Sequence, residues 1–520
     1  MRVEDAQVAN CSFLHFVYPF TFRPDTFEAR AGAIDANAGV WLPGKFPVQE
    51  MLFHVADYLK PAEGKPRAAT LWKLSEQNHN PLRLTRDLKG TLAADKQEIP
   101  FTFGGAQNNS PVVELALFSV GVGFLTVAAR PIEGDVAAWL AFLHYFRVMN
   151  GSHNVSMRLI PPPDVKRAFH FATDDAQGTS YSHILQTLLN TAALPEDTKR
   201  WWYDVFVPGR MIPFGALFVD GLKSEAERAR LLYRVRNFFR EEQIVIATPE
   251  ELQIKDNPAY MPYAEGQQFV FSLQGGSFVA FDAPETEFFR VTLPSHLRDE
   301  YFLVFLLTLH QRFTLMRLSQ RVTERWSEGE DKRAINFARI RERFLEFSAR
   351  SYFVQVMQRD HHHRFYCKWH EIFEMDQLYQ EVREEVREIH EYLRMNQAER
   401  MQELQENQKR QLELAAREEA RREHEAKLRR EEENKRTEDM SLLIGSVGLG
   451  VAVPALTFGF LSINIQGYNL VVQTAAYIAA GTIFVSILII LSVWFGIRKR
   501  HHKRRRSSEQ VSNAEGFRLP

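Results

Sequence analysis

Cysteine is scarce in this chain of 520 residues, and the short motifs that mark common enzyme classes are missing. The two cysteines, Cys11 and Cys367, cannot form a disulfide framework, which is typical of proteins in a reducing compartment. The chain has no GxxxxGK[ST] or HExxH, no GxSxG, and no GxGxxG after a predicted strand. We therefore expect that the protein is not an enzyme and has no catalytic residues.

Neither sign of charge is in excess, because 64 lysines and arginines balance 65 aspartates and glutamates. Along the charged segment 394–436, basic residues alternate with acidic ones, which cancels the field that a phosphate backbone would need. This pattern predicts no binding to nucleic acid. The first twenty residues carry acids and lack a continuous apolar core with a small-residue cleavage site, so we expect no signal peptide and a cytosolic N-terminal part.

Glycine and proline are both missing between Gly329 and Gly445. Within this segment, apolar residues recur at spacings of three and four, as in a packed helix: Met375, Leu378, Val382, Val386, Ile389 and Leu393. Beyond Arg394 this seam thins into a mixed-charge sequence, which is typical of a solvated helix with i,i+4 ion pairs. We predict one continuous helix from about Glu371 into the apolar segment that follows. The alternative is a disordered charged linker.

Charged residues are missing from Ser441 to Ile497. Because about 20 apolar residues cross the hydrocarbon core of a bilayer once, this segment predicts two transmembrane helices, 441–465 and 470–497, joined by an outer loop at 466–469. The alternative is a buried helix pair in a soluble domain. That alternative is disfavoured because helices of soluble proteins nearly always carry charge on one face.

A strongly basic tail, residues 498–520, follows the second predicted span and begins with RKRHHKRRR. The excess of positive charge on this side predicts that both chain termini face the cytoplasm. We therefore expect a multi-pass protein of the inner (cell) membrane. The tail is expected to contact anionic lipid headgroups.

Residues 1–290 mix strand and helix signals. Val112–Val120 and Gly121–Arg130 have the pattern of strands, and Asp135–Met149 has that of an amphipathic helix. Gln268–Asp282 predicts a hairpin that turns at Gly275-Gly276. Gly215–Gly221 predicts a further strand, followed by a helix. We predict an α/β (α+β) domain with partly antiparallel pairing.

The predicted fold is this cytosolic domain followed by a helical stalk and the two-helix membrane hairpin. Residues 291–370 form a helical region expected to pack on the stalk, and residues 371–440 form the stalk itself. Within the helical region, the segment His296–Val322 would have apolar residues on nearly every face of a helix. Its uncharged central part is too short to span a bilayer. It is therefore predicted to be a buried helix.

The end of the first predicted span carries Ser462-Ile463-Asn464-Ile465-Gln466-Gly467. This segment and the order of domains resemble the CorA family of divalent-metal transporters, whose signature is Gly-x-Asn at this place. The match is nearest to the zinc-transporter branch, which has Gly-Ile-Asn followed by a glycine pair. Ser462 replaces the first glycine and Gln466 replaces one of the pair, whereas Ile463, Asn464 and Gly467 are retained.

The resemblance implies a homopentamer whose first spans line a central pore, and passive movement of Mg²⁺, with Zn²⁺ or Co²⁺ as further candidates. The implied selectivity filter is Ser462, Ile463, Asn464 and Gly467. Amide oxygens such as that of Asn464 can hold a hydrated Mg²⁺ without removing its waters. A stripe of small or polar residues would line the pore: Ser446, Gly450, Thr457 and Leu461. The alternative for this stripe is close helix packing.

Two differences from the family favour a second function. Ser462 adds a side chain where the family has glycine, and the outer loop 466–469 carries no acidic residue that would concentrate cations. The second hypothesis is a signal-gated effector pore, like the CorA-like proteins of antiviral defence, whose cytosolic domain binds a small nucleotide. A third is a structural anchor that never conducts. No cofactor is expected beyond a transported or regulatory divalent cation.

His363, Cys367 and His370 recur at i, i+4 and i+7 in the segment DHHHRFYCKWHE. These are zinc-ligand residue types at a spacing that one helical face allows, so they predict a regulatory metal site. The alternative is a surface rich in histidine and aromatic residues, where the stalk packs on the globular domain.

Overall fold

The computed structural model describes residues 6–61, 64–77, 84–86, 88–94, 97–104, 111–148, 156–160, 181–207, 209–243, 246–326, 329–462 and 472–515. The chain divides into two compact units, Met1–Asn396 and Gln397–Pro520. The first unit contains a mixed α/β core, and the second contains long helices.

The strands all belong to the first unit. They are β1 (Gln7–Val8), β2 (Phe13–Thr21), β3 (Trp41–Pro43), β4 (Ala69–Leu74), β5 (Lys89–Ala94), β6 (Gln97–Phe103), β7 (Val113–Phe118), β8 (Val122–Pro131), β9 (Ser156–Ile160), β10 (Tyr203–Asp204), β11 (Ile212–Asp220), β12 (Tyr260–Ala264), β13 (Gln267–Ser272) and β14 (Gly275–Phe281).

The helices become longer toward the C-terminus. They are α1 (Phe27–Ala36), α2 (Phe53–Leu59), α3 (Val136–Phe146), α4 (Tyr181–Asn190), α5 (Glu225–Asn237), α6 (Pro249–Leu252), α7 (Leu293–His296), α8 (Phe302–Trp326), α9 (Glu330–Arg350), α10 (Asp360–Ile372), α11 (Met375–Ser462) and α12 (Val472–Glu515). Two π-helical turns, Phe288–Thr292 and Leu297–Tyr301, flank α7.

One large sheet organises the first unit, with the order β12-β13-β14-β11-β2-β8-β6-β5-β9 along its main path. β2 pairs antiparallel with both β8 and β11, and the pair of β11 with β14 is parallel. β2 is buried along its whole length because it is central and both of its faces are covered. The prediction of a mixed domain with partly antiparallel pairing is confirmed.

Alternate side chains of β2 enter two separate cores, as the two-residue period of a strand requires. Leu14 and Phe16 belong to the core that includes α1, α3 and α5. Phe13 and Val17 belong to the core that includes α2, α8, α9, α10 and the beginning of α11. The sheet is therefore the middle layer between two sets of helices.

Most local predictions for this unit are confirmed. The two predicted strands that meet at Gly121 are β7 and β8, and the predicted helix after them is α3. Asp135 begins α3 by accepting a hydrogen bond from the Ala138 N–H at 2.9 Å. The hairpin of β13 and β14 forms, but its turn lies at Leu273-Gln274, so the predicted turn at Gly275-Gly276 is wrong. These glycines begin β14 instead, and a Cβ at Gly276 would lie 2.8 Å from the Trp369 ring.

The helical region after the sheet shares a core with it. Phe305 of α8 stacks on Phe214 of β11 with ring centroids 5.2 Å apart, and α8 is buried from Phe302 to Leu315 except at Arg312. The prediction of a buried helix is confirmed. These helices also pack on the first residues of α11, where Phe344 of α9 lies 5.5 Å from the Tyr379 ring.

The segment without glycine or proline is not one helix. It forms α9, α10 and most of α11, and the last break falls at Phe373-Glu374, where Glu374 has a φ of 51°. The predicted long helix therefore begins at Met375 and runs without interruption to Ser462. Its predicted seam is buried at Met375, Val382 and Ile389.

Candidate functional site

The predicted selectivity filter falls at the end of α11. Ser462 is the last residue of that helix. Ile463, Asn464, Gly467 and the outer loop 466–469 lie outside the described residues. The filter therefore remains a prediction from the sequence.

The predicted pore stripe is described at its first two positions. Gly450 is buried, and a Cβ there would lie 2.6 Å from Cδ1 of Ile490 in α12. Ser446 is also buried, and its hydroxyl donates to the Leu443 carbonyl at 2.8 Å. Close packing of two helices, the alternative for this stripe, accounts for the contact at Gly450. Side chains at Thr457 and Leu461 lie outside the described part.

No helix in the described part of the chain has a segment that is both long and apolar enough to cross a membrane. Large apolar side chains of α11 and α12 are nevertheless exposed. The exposed fraction reaches 68% at Ile444, 74% at Leu456 and 63% at Phe484. The two helices therefore leave apolar surface uncovered within the second unit.

The predicted zinc ligands do not form one site. His363 and Cys367 are close, with 3.6 Å between Nε2 and Sγ. His370 is largely buried, and its Nε2 lies 2.9 Å from Oε1 of Gln311 in α8, while burial lowers the pKa of His370 to about 4. Among the described residues, no group of three His, Cys, Asp or Glu side chains is placed to hold a metal ion.

The other face of α10 is a packing surface rich in histidine and aromatic residues, as in the alternative, and it packs on the turn Leu297–Tyr301 and on α8. Its His362 ring stacks on Tyr301 with centroids 4.1 Å apart, and its Nε2 lies 2.9 Å from a carboxylate oxygen of Glu300. The contact with His362 is the main reason why the pKa of Glu300 lies below its usual range. Trp369 is fully buried beside Phe305 of α8. α10 therefore joins the sheet to α8.

A cavity of about 570 Å³ lies between α8, α9 and the segment that follows β2. We call it the arginine cavity. Its charged and amide side chains are Arg23, Asp25, Asp204, Arg317, Gln320, Arg321, Glu324, Arg325, Asn336, Arg339 and Arg343. Six arginines thus face three carboxylates, which is an excess of three positive charges.

Helical spacing places these arginines together. Arg317 and Arg321 are one turn apart on α8, and Arg339 and Arg343 are one turn apart on α9, so each helix presents two guanidinium groups on one side. α8 and α9 pack against each other through their apolar residues in the core that also holds Phe337 and Ile340. This packing brings two like-charged rows onto the same cavity.

Several of the charges in the arginine cavity are already paired. Arg317 donates to Glu324 at 3.0 Å, and Arg23 donates to both carboxylate oxygens of Asp25, which holds the pKa of Asp25 below its usual range. Tyr18 and Arg200 both donate to Asp204. The carboxylates of the cavity therefore already have cationic or hydroxyl partners.

Three guanidinium groups of the cavity, those of Arg321, Arg339 and Arg343, form no hydrogen bond or ion pair within the part of the chain that the structure describes. Burial, together with the neighbouring Arg317 and Arg343, lowers the pKa of Arg321 to about 10. Burial also lowers the pKa of Arg343. Both side chains remain charged at neutral pH, and both are placed where a positive charge is disfavoured.

The arginine cavity is not evident from the sequence. The only local signal is arginine at four-residue spacing in two separate segments, which is as common on a solvated helix face. The arginines of α8 and α9 become one site only because these two helices pack against each other in one core. The residues near Arg23 are far away in sequence and join through the sheet.

No family model and no curated protein matches the chain. Among solved structures, the chain is distantly similar to the complete structure of the CorA magnesium transporter from Methanocaldococcus jannaschii, with 10% sequence identity over 59% of this chain and 93% of the transporter chain. The TM-score is 0.15. At this level, the similarity decides neither the fold nor the activity of this chain.

Proposed function

We propose that this protein is a CorA-like, membrane-anchored homo-oligomer that lets divalent cations pass down their electrochemical gradient. The observation that carries the proposal is the absence of charge from Ser441 to Ile497, part of which lies outside the described residues. The exposed apolar side chains of α11 and α12 support it, because such surface needs lipid or another chain to cover it. The α/β domain and both termini would be cytoplasmic, in the inner membrane.

In this proposal the first span lines the pore of a pentamer, and Asn464 holds the hydrated ion at its outer end. Mg²⁺ is the first candidate because it gives up its water reluctantly and is suited to amide contacts made through that water. Zn²⁺ and Co²⁺ are the other candidates. Ile463 and Gly467 would shape the filter, and lipid headgroups would contact the basic tail.

The test is divalent-cation flux into proteoliposomes. The full chain should admit Mg²⁺, Zn²⁺ or Co²⁺, and Asn464→Ala should abolish the flux or its selectivity. Asn469→Ala is the matched control, because it removes an amide at the other end of the same loop. If the full chain and Asn464→Ala conduct equally well, the filter assignment is wrong.

The arginine cavity favours a second candidate function, a pore gated by a small anionic ligand such as a nucleotide. A gated pore should show little flux in the same proteoliposomes until that ligand is present. A purely structural anchor should show none with or without it. The divalent-cation transporter and the ligand-gated pore share the predicted pore and differ in what opens it.

A further inference from the structure

We propose that the arginine cavity binds a small soluble anion that carries two adjacent phosphoryl groups. The guanidinium groups of Arg321, Arg339 and Arg343 form no hydrogen bond or ion pair among the described residues, although they converge on one cavity. The excess of three positive charges is close to the charge of a diphosphate at neutral pH. No previously predicted site uses any of these residues.

The choice of cation indicates phosphate rather than a simple halide or a solvated counter-ion. The cavity has arginines and no lysine. A guanidinium group donates two parallel hydrogen bonds to two phosphate oxygens, whereas an ammonium group acts as a point charge. The arginines of α8 and those of α9 can therefore bind two neighbouring phosphoryl groups from opposite sides of the cavity.

The charge of the cavity distinguishes it from a larger cavity in the first unit. Its volume of about 570 Å³ lies in the range that small-molecule sites occupy. A cavity of about 1140 Å³ between α5, α6 and β12 is larger, but its four basic residues are balanced by four acidic ones. Of these two cavities, the arginine cavity is the one whose net charge favours an anion.

Electrostatic attraction to the arginines makes binding of the anion favourable. Burial and repulsion by neighbouring arginines lower the pKa of Arg321, so its positive charge is held in the cavity at a cost in free energy. A diphosphate between the two helices replaces repulsion by attraction at each of Arg321, Arg339 and Arg343. The ligand is therefore expected to stabilise the packing of α8 against α9.

The packing of α8 against α9 extends to the beginning of α11. Ser319 of α8 donates to Glu385 at 2.9 Å, and Phe337 of α9 contacts Tyr392 with centroids 6.2 Å apart. An anion that ties α8 to α9 therefore acts on the two helices that hold the first turns of α11. This regulatory step rests on the second candidate function above, whereas binding itself does not depend on it.

The test is calorimetric titration of the full-length protein in detergent with sodium pyrophosphate, in a chelating buffer without divalent cations. Wild type should bind one pyrophosphate per chain. Because each charged hydrogen-bonding group contributes about a factor of ten or more, the double variant Arg321→Gln/Arg343→Gln should bind at least about 100-fold more weakly. Arg341→Gln is the control, because it removes an arginine of α9 that does not line the cavity.

Thermal unfolding separates loss of the site from loss of the fold. Without ligand, the double variant should melt no lower than wild type, because neither of the two charges that it removes forms a hydrogen bond or ion pair within the described part of the chain. Pyrophosphate should raise the melting temperature of wild type and Arg341→Gln but not that of the double variant. Equal binding by the double variant, or no binding by wild type, would overturn the proposal.

A parallel titration distinguishes a soluble ligand from a lipid headgroup. Micelles that contain phosphatidylinositol bisphosphate replace pyrophosphate in the same protein preparations. Binding of these micelles that depends on Arg321 and Arg343, without binding of pyrophosphate, would refute the assignment to a soluble anion. None of these measurements needs ion flux, so their failure leaves the transport proposal standing, and a failure of transport leaves the binding result standing.

Discussion

Acid should destabilise the first unit through a histidine that the fold keeps neutral. His310 of α8 is fully buried, with its ring stacked on Phe118 at 4.1 Å and its Nε2 3.0 Å from the Tyr58 hydroxyl oxygen. Burial lowers its pKa from 6.5 to about 3. The unfolded chain therefore takes up a proton at a pH where the folded chain does not.

The sign and size of the effect follow from this difference. The stabilisation is complete above the unfolded-state pKa of 6.5 and is lost as the pH falls toward the folded-state value of about 3. Since one pKa unit corresponds to about 1.4 kcal/mol, lowering the pH from about 7.5 to about 4.5 should cost about 2.5 kcal/mol at this residue. At the lower pH the imidazole of the folded chain is still neutral. The loss of stability therefore comes from protonation of this histidine in the unfolded chain.

The assay is urea unfolding followed by tryptophan fluorescence at the two pH values, since all tryptophans except Trp494 lie in the first unit. His310→Phe should lose about 2.5 kcal/mol less than wild type between these pH values. His15 and His370, whose pKa values are also lowered by burial, contribute equally to both proteins and cancel. Tyr58→Phe keeps the imidazole and should keep the wild-type loss. An equal loss in wild type and His310→Phe would refute the reasoning.

Other substitutions test the packing. Trp369→Ala should lower the free energy of unfolding by about 3–5 kcal/mol in urea titration, because the ring is fully buried, whereas exposed Phe53→Ala should cost less than about 0.5 kcal/mol. Gly450→Leu should reduce the folded fraction in size-exclusion chromatography because it collides with α12, whereas Gly448→Leu meets open space and should not. Zn²⁺ should shift the melting temperature of wild type and Cys367→Ser equally, because no three-ligand site forms among the described residues; a shift confined to wild type would contradict this.

Local patterns predicted the elements whose formation depends on neighbours in sequence. The strands around Gly121, helix α3 and the buried helix α8 follow from periodicity alone, because apolar spacing determines which face must be buried. The hairpin was predicted but its turn was not. Gly275 and Gly276 look like turn residues, yet β14 uses them because Trp369 packs where a side chain at Gly276 would lie.

The sequence by itself determined the long helix, the uncharged C-terminal segment and the resemblance around Asn464, since each is a property of consecutive residues. Only the tertiary structure decided that His370 pairs with Gln311 instead of joining a metal site, and that Gly450 meets Ile490. The arginine cavity, too, was decided only by the tertiary structure. Its charges come from two helices and a distant loop, and no local pattern encodes which side chains a folded core will bring within reach of one ligand.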